Sequence, residues 1–248
     1  MFSGEGNQGP CKKTTERRSD KRMYHIFVDE SGKMGVESKE GRRLYYIVFR
    51  DDYSRMTWIY FMQKKSDSPA ALTQFIADTK MYEKIVVMRS ENAPQLTGGA
   101  FDRICRENQI KREFTSPGTP QLNGVAERAI AMINKVAKAC EYQAKVSFVG
   151  MNLPQLDRLW TDNHHNACHV LNCSASTSNE GMMSPYQKFH GEKPPPKLIQ
   201  WMQHCLYRVK RKRKMDAHVK ADFYLGPARN HPRNTYRICS LETGEIVT

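Results

Sequence analysis

The sequence predicts a mixed α/β domain followed by a small β-barrel. Three observations carry this expectation: three consecutive runs rich in β-branched and aromatic residues, then helix-period and strand-like runs in alternation, then short strand candidates set apart by breaker-rich stretches.

Residues 1–22 mix Gly, Lys, Arg, Ser and Thr without periodicity, as expected of a flexible basic arm. The first strand is "YHIFVD", ending near Asp29. "RRLYYIVFRDDYSRMTWIYFM" then holds two strand runs around an Asp-Asp-Tyr-Ser turn and reads as a β-hairpin. In "SPAALTQFIADTKMYE", Leu72, Phe75, Ile76 and Tyr82 recur at helical spacing, with Ser68 placed as N-cap and Pro69 at the first helical position. "KIVVM" is a short buried strand that empties into "RSENAPQL". "GAFDRICREN" is a second helix, "IKREFTS" a strand and "PGTPQLNG" a loop. A long helix begins near Val125, because Ala126, Ala129, Ile130, Ile133, Val136, Ala137 and Cys140 form an apolar stripe of period 3.6.

"LPQLDRLWTDNHHNACHVLNC" reads as one more helix. "SASTSNEG" and "GEKPPPK" bracket a linker, and from Trp201 onward "CLYRVK", "ADFYLG", "NTYRICS" and "EIVT" are the barrel strands. The expected organisation is a basic arm over 1–22, a core domain over 23–175, a linker over 176–200 and a small domain over 201–248.

The formal net charge is +13 with a pI near 9.4, which makes nucleic acid the leading partner. No apolar run approaches the roughly 20 residues of a membrane span, and the polar start lacks the apolar core of a signal peptide, so no membrane association is expected. Seven cysteines at irregular spacings point to reduced thiols in a soluble intracellular protein rather than to a disulfide framework.

Three carboxylates fall where this element order brings chain segments together: Asp29 at the end of the first strand, Glu91 after the fourth, and Glu127 in the first turn of the long helix. Acidic side chains that hold two divalent cations about 4 Å apart can activate an attacking oxygen and stabilise a leaving one in phosphodiester chemistry. Mg²⁺ suits carboxylate oxygens. The plainer reading of Glu91 is a solvated acid at a strand end.

The stretches "VDESGKMGVES", "YYIVFRDDYSRMTWIYFMQKKSD", "RSENAPQLTGGAF" and "SPGTPQLNGVAER" resemble the integrase of copia-type LTR retrotransposon Pol polyproteins, a ribonuclease-H-like fold with an Asp, Asp, Glu triad. Thirty-five residues separate Glu91 from Glu127, the spacing that family keeps between its second and third acids. "SPYQKFHGEKP" is similar to the family's linker, and "VKADFYLGPARNHPRNTYRICSLETGEIV" to its SH3-like domain. The resemblance covers residues 23–248. It implies that Asp29, Glu91 and Glu127 are the catalytic residues and the ligands of Mg²⁺ or Mn²⁺. Asn92 matches the residue after the second acid. Pro120, Gln121, Asn123 and Gly124 match the loop into the catalytic helix.

The sequence departs from that family around the second acid, where Glu91-Asn92-Ala93-Pro94-Gln95-Leu96 replaces Asp-Asn-Gly-Gly-Glu-Phe. Glu carries its carboxylate about 1 Å farther than Asp, and a misplacement of that size costs on the order of 10²-fold in rate. Pro94 also restricts Ala93, so the loop must take another path. The integrase reading is therefore one of impaired activity. The alternatives are a non-catalytic nucleic-acid-binding protein, domesticated from an integrase, and a decayed copy.

Asn123, Arg128 and Lys138 are the DNA-contacting candidates of the core, with Ala131 and Asn134 on the same helix face as Glu127 and Lys138. Lys210, Arg211, Lys212 and Arg213 lie in "RVKRKRK", a phosphate-tracking or nuclear-import segment; the other reading is a solvated hairpin loop. "HHNACHVLNC" gathers His164, His165, Cys168, His169 and Cys173, but on a core helix, and no zinc is expected there. The zinc module such integrases carry upstream is not expected within this chain, where only Cys11 precedes the core. Asp51 and Asp52 read as turn residues. The resemblance further implies DNA partners, homo-oligomerisation if active, and a nuclear site of action with a cytoplasmic particle beforehand.

Overall fold

The computed structural model describes residues 18–115, 123–148, 156–195, 198–209, 218–232, 234–240 and 243–248. Its elements are β1 (His25–Glu30), β2 (Tyr45–Asp51), β3 (Thr57–Met62), α1 (Ser68–Thr79), β4 (Val87–Ser90), α2 (Pro94–Thr97), α3 (Gly99–Glu107), β5 (Lys111–Phe114), α4 (Gly124–Ser147), α5 (Trp160–Cys173), α6 (Pro185–His190), β6 (His204–Arg208), β7 (Val219–Pro227), β8 (Tyr236–Cys239) and β9 (Ile246–Val247). Of the expected basic arm, residues 1–17 lie outside the described residues. At its end, Arg18 Nε donates to the Asp52 carbonyl at 2.6 Å and Arg22 pairs with Glu83 at 2.6 Å.

β1 to β5 form a mixed sheet in the order β3-β2-β1-β4-β5. The first three strands are antiparallel neighbours, whereas β4 and β5 join in parallel. Alternation along β1 sends Ile26 and Val28 to one face and Phe27 and Asp29 to the other. Ile26 and Val28 meet Phe75 of α1 and Phe101 of α3, while Phe27 meets the α4 and α5 side. The buried stripe of α4 is Ala126, Ala129, Ile133 and Ala137, and its small side chains let the helix lie close against the sheet.

Two local expectations are revised. Ser68 lies inside α1 rather than capping it; Asp67 holds the N-cap position, and the Ser68 hydroxyl donates to the Lys65 carbonyl at 2.6 Å and to Glu30. The segment expected as a linker contains α6, whose Phe189 is 1% exposed and packs edge-on against Trp58 and Tyr82 of the main core. Ser184 caps that helix by accepting from Gln187 N at 3.0 Å, and Gly191 at φ 76° ends it.

β6 to β9 pair consecutively into a four-stranded antiparallel sheet whose edges, β6 and β9, do not meet. The closed barrel expected over 201–248 is thus not formed by the described strands. Trp201, Met202, Phe223 and Leu225 pack this sheet against Ala144 of α4 and against Leu156 and Leu159. Arg237 on β8 fastens it further, reaching Asp162 of α5 at 2.7 Å and Glu40 at 2.6 Å.

Candidate active site

The parallel pairing of β1 with β4 sets Val28 opposite Ser90. The next residue of β1 is Asp29 and the first residue after β4 is Glu91, both at the carboxyl ends of these two strands. The third acid arrives through a different contact. Asn123, immediately before α4, donates its side-chain amide to the Val28 carbonyl at 3.3 Å, and its own carbonyl accepts from Ala126 N at 2.9 Å and Glu127 N at 3.2 Å. The first turn of α4 is thereby fastened to β1 one residue before Asp29, and Glu127 sits in that turn.

Electrostatics report the convergence. Asp29 is 8% exposed, Glu127 is half-buried and Glu91 is exposed. Burial, then the negative charge of Glu91 and more weakly that of Glu127, push the Asp29 carboxyl up to about 7. The Glu30 backbone N–H, donating to Asp29 Oδ1 at 2.8 Å, pulls the other way.

Three carboxylates of hard oxygen, with mutual repulsion a cation would relieve, fit Mg²⁺ or Mn²⁺ in donor type and charge. In spacing they are open. Among the described residues no three His, Cys, Asp or Glu side chains already stand close enough to hold one ion, so the glutamates would have to close in.

The loop behind Glu91 is a helical turn. Ala93 is extended (φ −81°, ψ 137°), as the residue before a proline prefers, and Pro94 opens α2. Leu96 is buried, and Gln95 Nε2 donates to Glu30 Oε2 at 2.5 Å. Arg112 on β5 ties both ends of the loop, donating to Ser90 Oγ at 2.7 Å and to the Leu96 carbonyl at 2.9 Å. Sequence reasoning missed Glu30 and Arg112. Glu30 was open to strand alternation, which turns it away from Asp29; Arg112 gave no local signal.

The remaining candidates separate into three groups. Arg128 and Lys138 are exposed on α4. Asn123 is fully buried and anchors the helix, so the expectation that it contacts DNA does not match its place in the structure. Lys210, Arg211, Lys212 and Arg213, with Pro120 and Gln121, lie outside the described residues. Asn134, expected on the helix face of Glu127, accepts from the Tyr46 hydroxyl at 2.8 Å and lies 3.1 Å from His164 Nε2.

In the His/Cys cluster, His164 Nδ1 bonds the Trp160 carbonyl at 2.8 Å, and burial pushes its pKa down to about 4. Burial likewise lowers His165 and His169 and raises Cys168 to about 12. Asp51 accepts from Met23 N and Ser54 N, both at 2.8 Å, and Asp52 from Ser19 N at 2.6 Å, as turn-forming residues do.

Residues 20–120 match the integrase core domain family. Over 153 residues, 61% of this chain, the sequence is 31% identical to the retrovirus-related Pol polyprotein from transposon TNT 1-94 of Nicotiana tabacum, of which the match spans 11%. In structure the chain is similar to one in the simian T-cell lymphotropic virus intasome in complex with PP2A regulatory subunit B56 gamma, with TM-score 0.53 and 16% identity over 84% of this chain and 71% of that one. The HTLV-2 integrase catalytic core domain in complex with magnesium, trimeric form, gives TM-score 0.46 and 15% identity over 68% of this chain and 97% of that one. Among the described residues no helix is long and apolar enough to cross a membrane.

Proposed function

We propose that the chain is an integrase-derived protein acting on DNA through Asp29, Glu91 and Glu127, a reading supported by the match of residues 20–120 to the integrase core domain and by the likeness to a retrotransposon Pol polyprotein. The observation that carries the reading is the convergence of these acids: β1–β4 register supplies two, the Asn123 anchor supplies the third, and both glutamates act on the Asp29 carboxyl.

A bound Mg²⁺ or Mn²⁺ would supply Lewis acidity for attack on a phosphodiester, by water in end processing and by a 3′-hydroxyl in strand transfer. The protein's own part is to hold the three carboxylates. Asp29 is held in β1, Glu127 is held through the first turn of α4, and Glu91 stands exposed at the start of a loop fixed by Arg112 and Gln95. Arg128 and Lys138 offer charge to the DNA backbone, as does the 210–213 run. We place the 201–248 unit as an SH3-like DNA-contacting domain, the 23–175 unit as the ribonuclease-H-like core, the active assembly as a homo-oligomer, and the site of action as the nucleus.

A second reading has its own support. The open spacing of the acids and the extra methylene of Glu91 favour a protein that keeps DNA binding with weakened chemistry. Strand transfer by the purified chain on the element's own DNA ends tests both. The impaired-integrase reading expects weak activity, raised roughly tenfold or more by Glu91→Asp and abolished by Glu127→Gln. Vigorous wild-type activity that Glu127→Gln abolishes refutes impairment; salt-sensitive DNA binding with no joining in any form supports the non-catalytic reading.

A further inference from the structure

On the α4 side of the main sheet, one strand repeat (about 7 Å) behind Asp29, Phe27 of β1 pairs with Arg50 of β2 and Arg89 of β4. Arg50 shares this face with Tyr46 and Val48 by alternation, beneath the α5 helix that carries Cys168.

Arg50 makes no hydrogen bond and no ion pair among the described residues, and its Nε is buried without a partner. The groups acting on it are Arg55, Arg128 and Arg18, all cations that oppose its charge, and the buried Cys168 thiol of α5, which favours it. The acids that follow it in the chain are engaged elsewhere. Asp51 accepts from Met23 N and from Ser54, and Asp52 accepts from Ser19 N and pairs with Arg55 at 2.6 Å. Burial first, then Arg55, pushes the Arg50 pKa down to about 10.

A buried guanidinium nitrogen without a partner is unfavourable, and gathering like charges around it adds to the penalty. A bound anion removes both costs. The planar fork of arginine matches a phosphate with two parallel hydrogen bonds, and Arg50 keeps partial exposure through which one can be reached. Arg128 is exposed in the first turn of α4, next in sequence to Glu127, and makes no ion pair among the described residues.

We propose that Arg50 and Arg128, with Arg55 at the rim, form a phosphate site that holds the backbone of a nucleic-acid strand beside the three acids. The proposal rests on the nucleic-acid reading above and deepens it: the phosphate held here sets the strand so that a neighbouring phosphodiester faces Asp29, Glu91 and Glu127.

The test compares wild type, Arg50→Leu and Arg128→Gln, the last at an exposed helix position that leaves folding intact. Thermal unfolding is measured in sodium chloride and in sodium phosphate at matched ionic strength, and binding to a short DNA duplex is measured against salt. Wild type should gain stability in phosphate beyond chloride. Arg50→Leu should unfold at a higher temperature than wild type in chloride and show no phosphate-specific gain. Each variant should lower the slope of log affinity against log salt by about 1.

An equal phosphate gain in wild type and Arg50→Leu overturns the site. Loss of that gain with the DNA slope unchanged in both variants overturns the nucleic-acid assignment. Neither readout requires catalysis, so an inactive integrase leaves the outcome standing, and a working integrase whose variants behave as wild type removes the phosphate site alone.

Discussion

Asp29 and Glu91 are neighbours because β1 and β4 run parallel with Val28 opposite Ser90. Sixty-one residues of intervening chain, with a hairpin and α1 between them, are reduced by this register to adjacent positions at one end of a sheet. The consequence is electrostatic: a buried aspartate is pushed up to about 7, first by burial and then by the adjacent glutamate.

Ionised Asp29 is therefore a burden on the metal-free fold. Its folded pKa lies above the unfolded value near 3.9, so its favourable contribution is complete at low pH and is lost as pH rises from about 4 through about 7. Asp29→Asn should remove that loss. In chelator above pH 7 the variant should be more stable than wild type by up to about 4 kcal/mol, and the two should converge near pH 4. Denaturant unfolding across this range checks it; parallel pH profiles contradict it.

Asn123→Ala should loosen the start of α4. It removes the buried bond to the Val28 carbonyl, a loss of about 1 to 2 kcal/mol. Because the same contact places Glu127, divalent-cation affinity should fall with stability, whereas a substitution of similar cost remote from β1 should lower stability alone. Paired thermal unfolding and Mn²⁺ titration measure the two effects.

Arg237→Ala should release the C-terminal sheet from α5. It strips the partner from Asp162, whose carboxyl burial pushes upward against the pull of Arg237, and from Glu40. A loss of about 2 to 3 kcal/mol is expected, less than for a fully buried pair because the Arg237 side chain is 24% exposed. Limited proteolysis should then cut between α6 and β6 faster than in wild type. Unchanged cleavage would show that the apolar contact of Trp201 and Phe223 suffices.

The candidate acids were legible in the sequence because each stands at a boundary: the end of an apolar strand, the start of a breaker-rich loop, the first turn of a periodic helix. What brings them together was not. Strand register and the Asn123 bond are long-range contacts, and a local pattern carries no trace of them. For the same reason Asn123 read as a DNA-contacting residue, although it is buried as an anchor.

Residues 176–200 read as a linker from their Ser, Asn and Pro content. Phe189 nevertheless draws α6 into the core, since one large apolar side chain with a capped turn outweighs breaker-rich flanks. The barrel expected at the C-terminus rested on strand spacing, which sets the number of strands and not whether the first meets the last.

Titration with Mn²⁺ of the wild-type chain and of Asp29→Asn, Glu91→Gln and Glu127→Gln tests the central claim most directly, because it asks whether the three carboxylates together bind divalent cations without requiring activity. The account predicts binding by wild type and a loss of tenfold or more in affinity in each variant. Mn²⁺ binding that is equal in all four proteins would contradict it.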